Sequence, residues 1–169
     1  MITISADTSA LISLEIKGLV GLASKFVRFV IPATVYEELG DIARFEDVHG
    51  TSATDLLGLV RSGVITVQSA SAMPEHLKNI DIGEAEILSL VASRNCDYII
   101  TDDVRALPYM RSVADVKVLT SAFVIRLLYD VGSLSREDAL NSVKEIAISR
   151  DWYGGVLEVI AYKYFNDES

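Results

Sequence analysis

The sequence predicts an α/β fold with three layers, α/β/α, around a mainly parallel central sheet. Short β-branched apolar runs alternate along the chain with segments whose apolar residues recur at helical spacing, the pattern of βαβ units. Aspartates follow directly on two of those runs, "MITISA" and "YIIT", and open parallel sheets bind ligands outside the carboxyl ends of their strands. There is no internal repeat, low-complexity stretch or linker. The 169 residues therefore read as a single domain, 1–169, long enough to bury a substantial core.

The elements follow in order. "MITISA" (1–6) alternates and is β-branched, so it predicts the first strand. "DTSALISLEIKG" (7–18) opens on capping residues, continues with helical spacing and stops at Gly18. "RFVIP" is a short strand ended by Pro32, a good residue at a helix start, and "ATVYEELG" is a helix closed by Gly40. A helix over 51–62, the strand "VITVQ", the helix "DIGEAEILSLVASRN" and the strand "YIIT" come next. After Pro108 the run "VKVL" predicts the last strand, and helices are expected over 121–130, 136–149 and 156–165. Residues 41–50 and 69–79 are the expected long loops. The acidic segments lie within 1–130, and C-terminal helices occupy 131–169.

Half of the residues are apolar, the mean hydropathy is positive, and no apolar stretch approaches the roughly 18 residues that span a bilayer. With no basic region ahead of an apolar segment at the N-terminus, a soluble cytoplasmic protein with no membrane partner is expected. Cys96 is the single cysteine, which excludes an internal disulfide and a cysteine-rich zinc site and suits a small buried hydrophobe. Fifteen basic against twenty-four acidic residues give a net charge of −9. That argues against holding nucleic acid by a broad basic surface, yet it suits acids gathered around a cation.

On the predicted scaffold Asp7 and the pair Asp102/Asp103 stand at strand ends, while Glu37/Glu38 and Glu84/Glu86 reach the same edge from helices. Each has a plain structural role open to it. Asp7 and Asp102 are N-cap candidates, and Asp81 with Glu84 fits a capping box. Glu37 and Glu38 fit such a role less well, because negative charge in a last helical turn opposes the macrodipole. Clustered carboxylates repel and raise one another's pKa, a cost that a divalent cation removes. Oxygen ligands without His or Cys select Mg²⁺ or Mn²⁺, ions that hold phosphate oxygens and activate water for in-line attack.

"ISADTSALISL", "VIPATVYEELG", "DIGEAEILSLVA" and "YIITDDVRAL", in that order, resemble the four acidic motifs of the PIN-domain family of metal-dependent nucleases. Many of these are ribonucleases and toxins of toxin–antitoxin pairs. The resemblance implies a PIN-like fold, an Mg²⁺ or Mn²⁺ cofactor, an RNA substrate and the possibility of a protein antitoxin. It also implies Asp7, Glu38, Glu84 and Asp103 as the catalytic, metal-holding acids. Glu86 competes with Glu84 for the third place, and Asp102 stands beside Asp103 as a cap or an auxiliary metal ligand. RNA versus DNA and one metal versus two stay open. A PIN-like module that binds RNA or protein without cleaving is the alternative.

Ser9 and Thr101 could orient carboxylates by hydrogen bonding, or simply serve as helix-start hydroxyls. Arg105, close behind the acidic pair, could meet a substrate phosphate, as could Arg111 and Lys78, or be a surface cation. His49 and His76 lack ligand spacing and read as loop residues. Trp152 and Tyr153 could stack on a base, although packing of the C-terminal helix or of a dimer suits them better. A homodimer through the apolar C-terminal helices is expected. No P-loop or dinucleotide fingerprint is present.

Overall fold

The computed structural model describes residues 1–69, 81–93, 96–152 and 154–166. Within them the order is β1 (Ile2–Ala6), α1 (Thr8–Glu15), α2 (Leu19–Ala23), β2 (Val27–Ile31), α3 (Ala33–Ile42), α4 (Val48–Arg61) and β3 (Ile65–Val67). Then follow α5 (Ile82–Ala92), β4 (Tyr98–Ile100), α6 (Ala106–Val113), β5 (Lys117–Leu119), α7 (Ser121–Asp130), α8 (Arg136–Ser149) and α9 (Val156–Asn166).

The strands form one sheet in the order β3-β2-β1-β4-β5, every neighbouring pair parallel. Helix contacts group α1 to α4, with α7 against α1, and α5 with α6, the two layers that right-handed crossovers give for this strand order. The α/β/α layering and the parallel sheet agree with the sequence. With both faces covered, the inner strands are buried almost throughout: Ile4, Phe29, Ile31, Ile99 and Ile100 have no exposed surface. The strand order reverses between β1 and β4, where ligands bind in such sheets. The Asp7 N–H continues the ladder to the Ile100 carbonyl at 3.1 Å, and the Thr101 N–H bonds the Leu119 carbonyl at 2.9 Å. The acids after β1 and β4 are thus held level at one edge.

Several boundaries differ from the sequence expectation. The third helix passes Gly40 and ends at Ile42, because one glycine costs only about 1 kcal/mol in a helix packed by Val35 and Leu39. The next helix begins at Val48, not at residue 51: Asp47 caps it by accepting from the Gly50 N–H at 2.8 Å. Position 50 must be glycine, since a Cβ there would lie 1.9 Å from the Phe45 carbonyl oxygen. The loop expected over 41–50 therefore shrinks, and His49 sits in a first helical turn rather than a loop. The short helix α2 was not expected, and α6, implied only by the N-cap reading of Asp102, had no expected range. In α6 Pro108 is the third residue, where its missing N–H has no intrahelical acceptor to lose. Most of the loop expected over 69–79, with His76 and Lys78, and also Tyr153, lies outside the described residues. Among the described residues no helix is long and apolar enough to cross a membrane.

Candidate functional site

A cleft of about 390 Å³ opens at the β1/β4 edge, and five carboxylate residues line it: Asp7, Glu38, Asp81, Glu84 and Asp103. Asp7 enters from the end of β1 and caps α1, its Oδ1 accepting from the Ala10 N–H at 2.8 Å. The Ser9 hydroxyl stands 2.8 and 2.9 Å from its two oxygens, and the Thr101 hydroxyl donates to Oδ2. Those two hydroxyls in turn accept from the backbone beyond β4: Ser9 Oγ from the Asp102 N–H at 2.9 Å, and Thr101 Oγ1 from the Asp103 N–H at 3.0 Å. The helix-cap and site roles of Asp7 coexist. Burial pushes its carboxyl up to about 7, with the Asp102 charge adding to the rise and the Thr101, Ala10 and Ser9 hydrogen bonds opposing it.

The neighbouring aspartates after β4 part company. Asp103 is exposed and lines the cleft, while its Oδ1 accepts from the Arg105 N–H at 2.8 Å and the Ala106 N–H at 3.3 Å, starting α6. Asp102 is only 6 % exposed and is absent from the cleft wall; its Oδ1 accepts from the Ser121 N–H at 2.9 Å. It caps α7, across the sheet edge, and not the helix that follows it in sequence. The two side chains thus turn to different partners, Asp103 to the start of α6 and Asp102 to the start of α7. Burial raises the Asp102 carboxyl, opposed by Ser121, Ser13 and the Arg150 charge.

The two glutamates of "GEAE" separate in the same way. Glu84 lines the cleft, and its carboxyl is raised by burial and by the charges of Asp81 and Asp103. Glu86 turns to α3 instead, accepting from the Thr34 hydroxyl at 2.8 Å and the Thr34 N–H at 3.3 Å. Asp81 caps α5 through the Gly83 N–H at 3.0 Å, so the bond expected of a capping box to Glu84 is made one residue earlier. Glu38 accepts from the Thr8 hydroxyl, whereas Glu37 is exposed and outside the cleft.

Arg105 supplies a cation to the cleft wall. Arg111 does not: its Nε donates to the Val118 carbonyl at 3.0 Å, on the edge strand. Trp152 is buried, and Cys96 is buried with its thiol pushed up to about 11 by desolvation. Apart from its apolar lining, the cleft holds three residues that carried no site role in the sequence reading: Asp81, Thr8 and Gly83. Their only signal was adjacency, Thr8 beside Asp7, Gly83 beside Glu84 and Asp81 three residues before it.

The donors in this cleft are all oxygen, which suits a hard divalent cation. Crowding among Glu84, Asp81 and Asp103 is the electrostatic cost such an ion relieves. Among the described residues no three acidic, histidine or cysteine side chains are already gathered into a ligand shell. The carboxylates ring a cleft, so a cation held there would require side chains to close inward. Compared with known families, residues 3–154 match the DUF3368 model, a PIN domain. No curated protein matches the chain.

Proposed function

The chain belongs to the PIN-domain family, a nuclease-type fold, and from that premise we propose that it is a divalent-metal-dependent nuclease hydrolysing phosphodiester bonds of RNA. The observation that carries this reading is the ring of five carboxylates at the β1/β4 switch point with one arginine on its wall. Asp7, Glu38, Glu84 and Asp103 would hold Mg²⁺ or Mn²⁺, with Asp81 beside them. A bound divalent ion supplies Lewis-acid charge and an activated water.

The chain's own residues do the rest. Ser9 and Thr101 fix the Asp7 carboxylate by hydrogen bonds that trace back to the β4 backbone. Asp103 is held at the start of α6 by two N–H groups, which sets the distance between the β1 and β4 acids. Arg105 is placed to pair with a phosphate oxygen of the substrate, a charge-assisted contact. In a protein of net charge −9, RNA binding then depends on local cations and on the metal, so affinity should fall with salt.

Cleavage of labelled single-stranded RNA with Mn²⁺, Mg²⁺ or EDTA tests the proposal, with Asp7→Asn as the control. Metal-dependent cleavage leaving a 5′-phosphate, lost in the variant, is expected. Equal activity in both proteins would point to a contaminating nuclease. Binding without cleavage under every metal condition would favour the binding-module alternative.

We also propose a homodimer through the C-terminal helices. The support is the exposed apolar surface of Val156 and Val159 on α9, 63 % and 53 % accessible. Light scattering at high micromolar concentration checks it, and a strict monomer would sink it.

A further inference from the structure

We infer that Thr8 and Gly83 are positioning residues that together fix where the Glu38 carboxylate sits in the cleft. The inference rests on the nuclease reading above and deepens the same site.

Gly83 lies in the first turn of α5, an eleven-residue helix, and is buried. Its backbone is not among the left-handed glycines of the described residues, so conformation does not demand glycine there. Glycine costs a helix stability, and something must offset that cost. The surroundings supply the reason. A Cβ at position 83 would stand 3.3 Å from Asp81 Oδ1, 3.5 Å from Glu38 Oε1 and 3.9 Å from Thr34 Oγ1. The missing side chain leaves a notch in which carboxylate oxygens from two separate elements approach the first turn of α5. The partial positive charge of that helix end favours them.

Thr8 closes the arrangement from the opposite side. Its hydroxyl donates to Glu38 Oε2, linking the start of α1 to α3. Glu38 is an exposed residue on a long, flexible side chain, which would otherwise sample many rotamers. Thr8 follows Asp7 directly, so one dipeptide sets two acids: Asp7 by its own backbone and Glu38 through the Thr8 hydroxyl. The distance between the strand-edge acid and the α3 acid is then set by the protein before any cation arrives.

The test uses the full chain and Mn²⁺ alone, with affinity read by electron paramagnetic resonance of free Mn²⁺. It also reads the Glu38 side-chain carboxyl ¹³C resonance in metal-free protein. Thr8→Val, which keeps the shape and removes the hydroxyl, should weaken Mn²⁺ binding by about 10–100-fold and move that resonance. Thr8→Ser should restore both. Gly83→Ala should weaken Mn²⁺ binding by a smaller factor, because Asp81 must give way by tenths of an ångström while the new methyl only comes into contact with Glu38. Thr8→Val with wild-type affinity and an unmoved Glu38 resonance would overturn the inference, even if the protein cleaves RNA. Failure of wild type to bind Mn²⁺ would overturn the nuclease reading, and the resonance would still judge the hold of Thr8 on Glu38.

Discussion

On the strand-edge wall of the cleft, Asp7 takes hydrogen bonds from Ala10, Ser9 and Thr101, and Asp103 takes two from α6. On the helical wall Glu38 has the Thr8 hydroxyl, and the Glu84 carboxylate has no hydrogen-bond donor among the described residues. The acids of the first wall are tied to a sheet whose inner residues are fully buried; those of the second ride on helix surfaces. The difference teaches that the hold on the carboxylates weakens from the strand edge to the helical wall, where Thr8 holds Glu38 and nothing comparable holds Glu84. On the proposed function the strand-edge wall would set the place of the metal, and Glu84 would adjust to it.

Breaking the strand-edge wall should have the largest effect. Asp7→Asn should lower Mn²⁺-dependent cleavage by about 10²–10³-fold, the usual cost of losing a preorganised electrostatic group. Glu84→Gln, on the helical wall, should cost about tenfold, since its neighbours can move. Equal losses in initial rates would erase the distinction between the walls.

The same contrast should appear in stability. At a hundredfold excess over its dissociation constant, Mn²⁺ should stabilise wild type by about 2.7 kcal/mol. Asp7→Asn should gain much less, as read from melting curves with and without metal. Identical metal shifts in the two proteins would remove Asp7 from the site.

Without metal the effect of pH runs the other way from an ordinary ion-paired carboxylate. The Asp7 carboxyl rises from 3.8 to about 7 on folding, so the folded chain holds a proton that the unfolded chain has released. Stability should therefore fall as pH rises from about 4 to about 7, then level off. Asp7→Asn should remove this share of the slope, melting with wild type at pH 4 and above it at pH 8. A gain of about 2–4 °C would correspond to 1 kcal/mol in a chain of this size. Glu15, also raised to about 7 by burial and by the Asp55 charge, keeps part of the slope, which Glu15→Gln should remove. A flat pH profile for metal-free wild type would refute the burial argument.

The smallest effect belongs to an acid outside the cleft. Glu86→Ala removes the acceptor for Thr34 at the start of α3 and should cost about 1 kcal/mol in denaturant unfolding. Its Mn²⁺ shift should match wild type. A lost shift would mean that Glu86, not Glu84, belongs to the site.

Much of the fold was legible because its signals are local. Alternation in "MITISA" and helical spacing in "DIGEAEILSLVA" each show within a few residues, and β1 and α5 follow them. The misreadings share one cause. Gly40 acts as a stop by its usual chemistry, yet packing carried α3 past it. Asp81 and Thr8 were read only as helix-start residues, because nothing in the chain order reveals that α5 and α1 start beside the Glu38 side chain.

By itself the sequence determined the layered α/β architecture, the acids at the strand ends and the family, since these depend on residue type and spacing along the chain. Only the tertiary structure decided which acid of each pair faces the cleft. Asp102 turned to the α7 N-terminus and Glu86 to Thr34, leaving Asp103 and Glu84 in the cleft wall. The physical reason is that a carboxylate goes where unpaired N–H and hydroxyl donors await it. Those donors come from elements distant in sequence, placed only when the sheet has formed and its helices have packed.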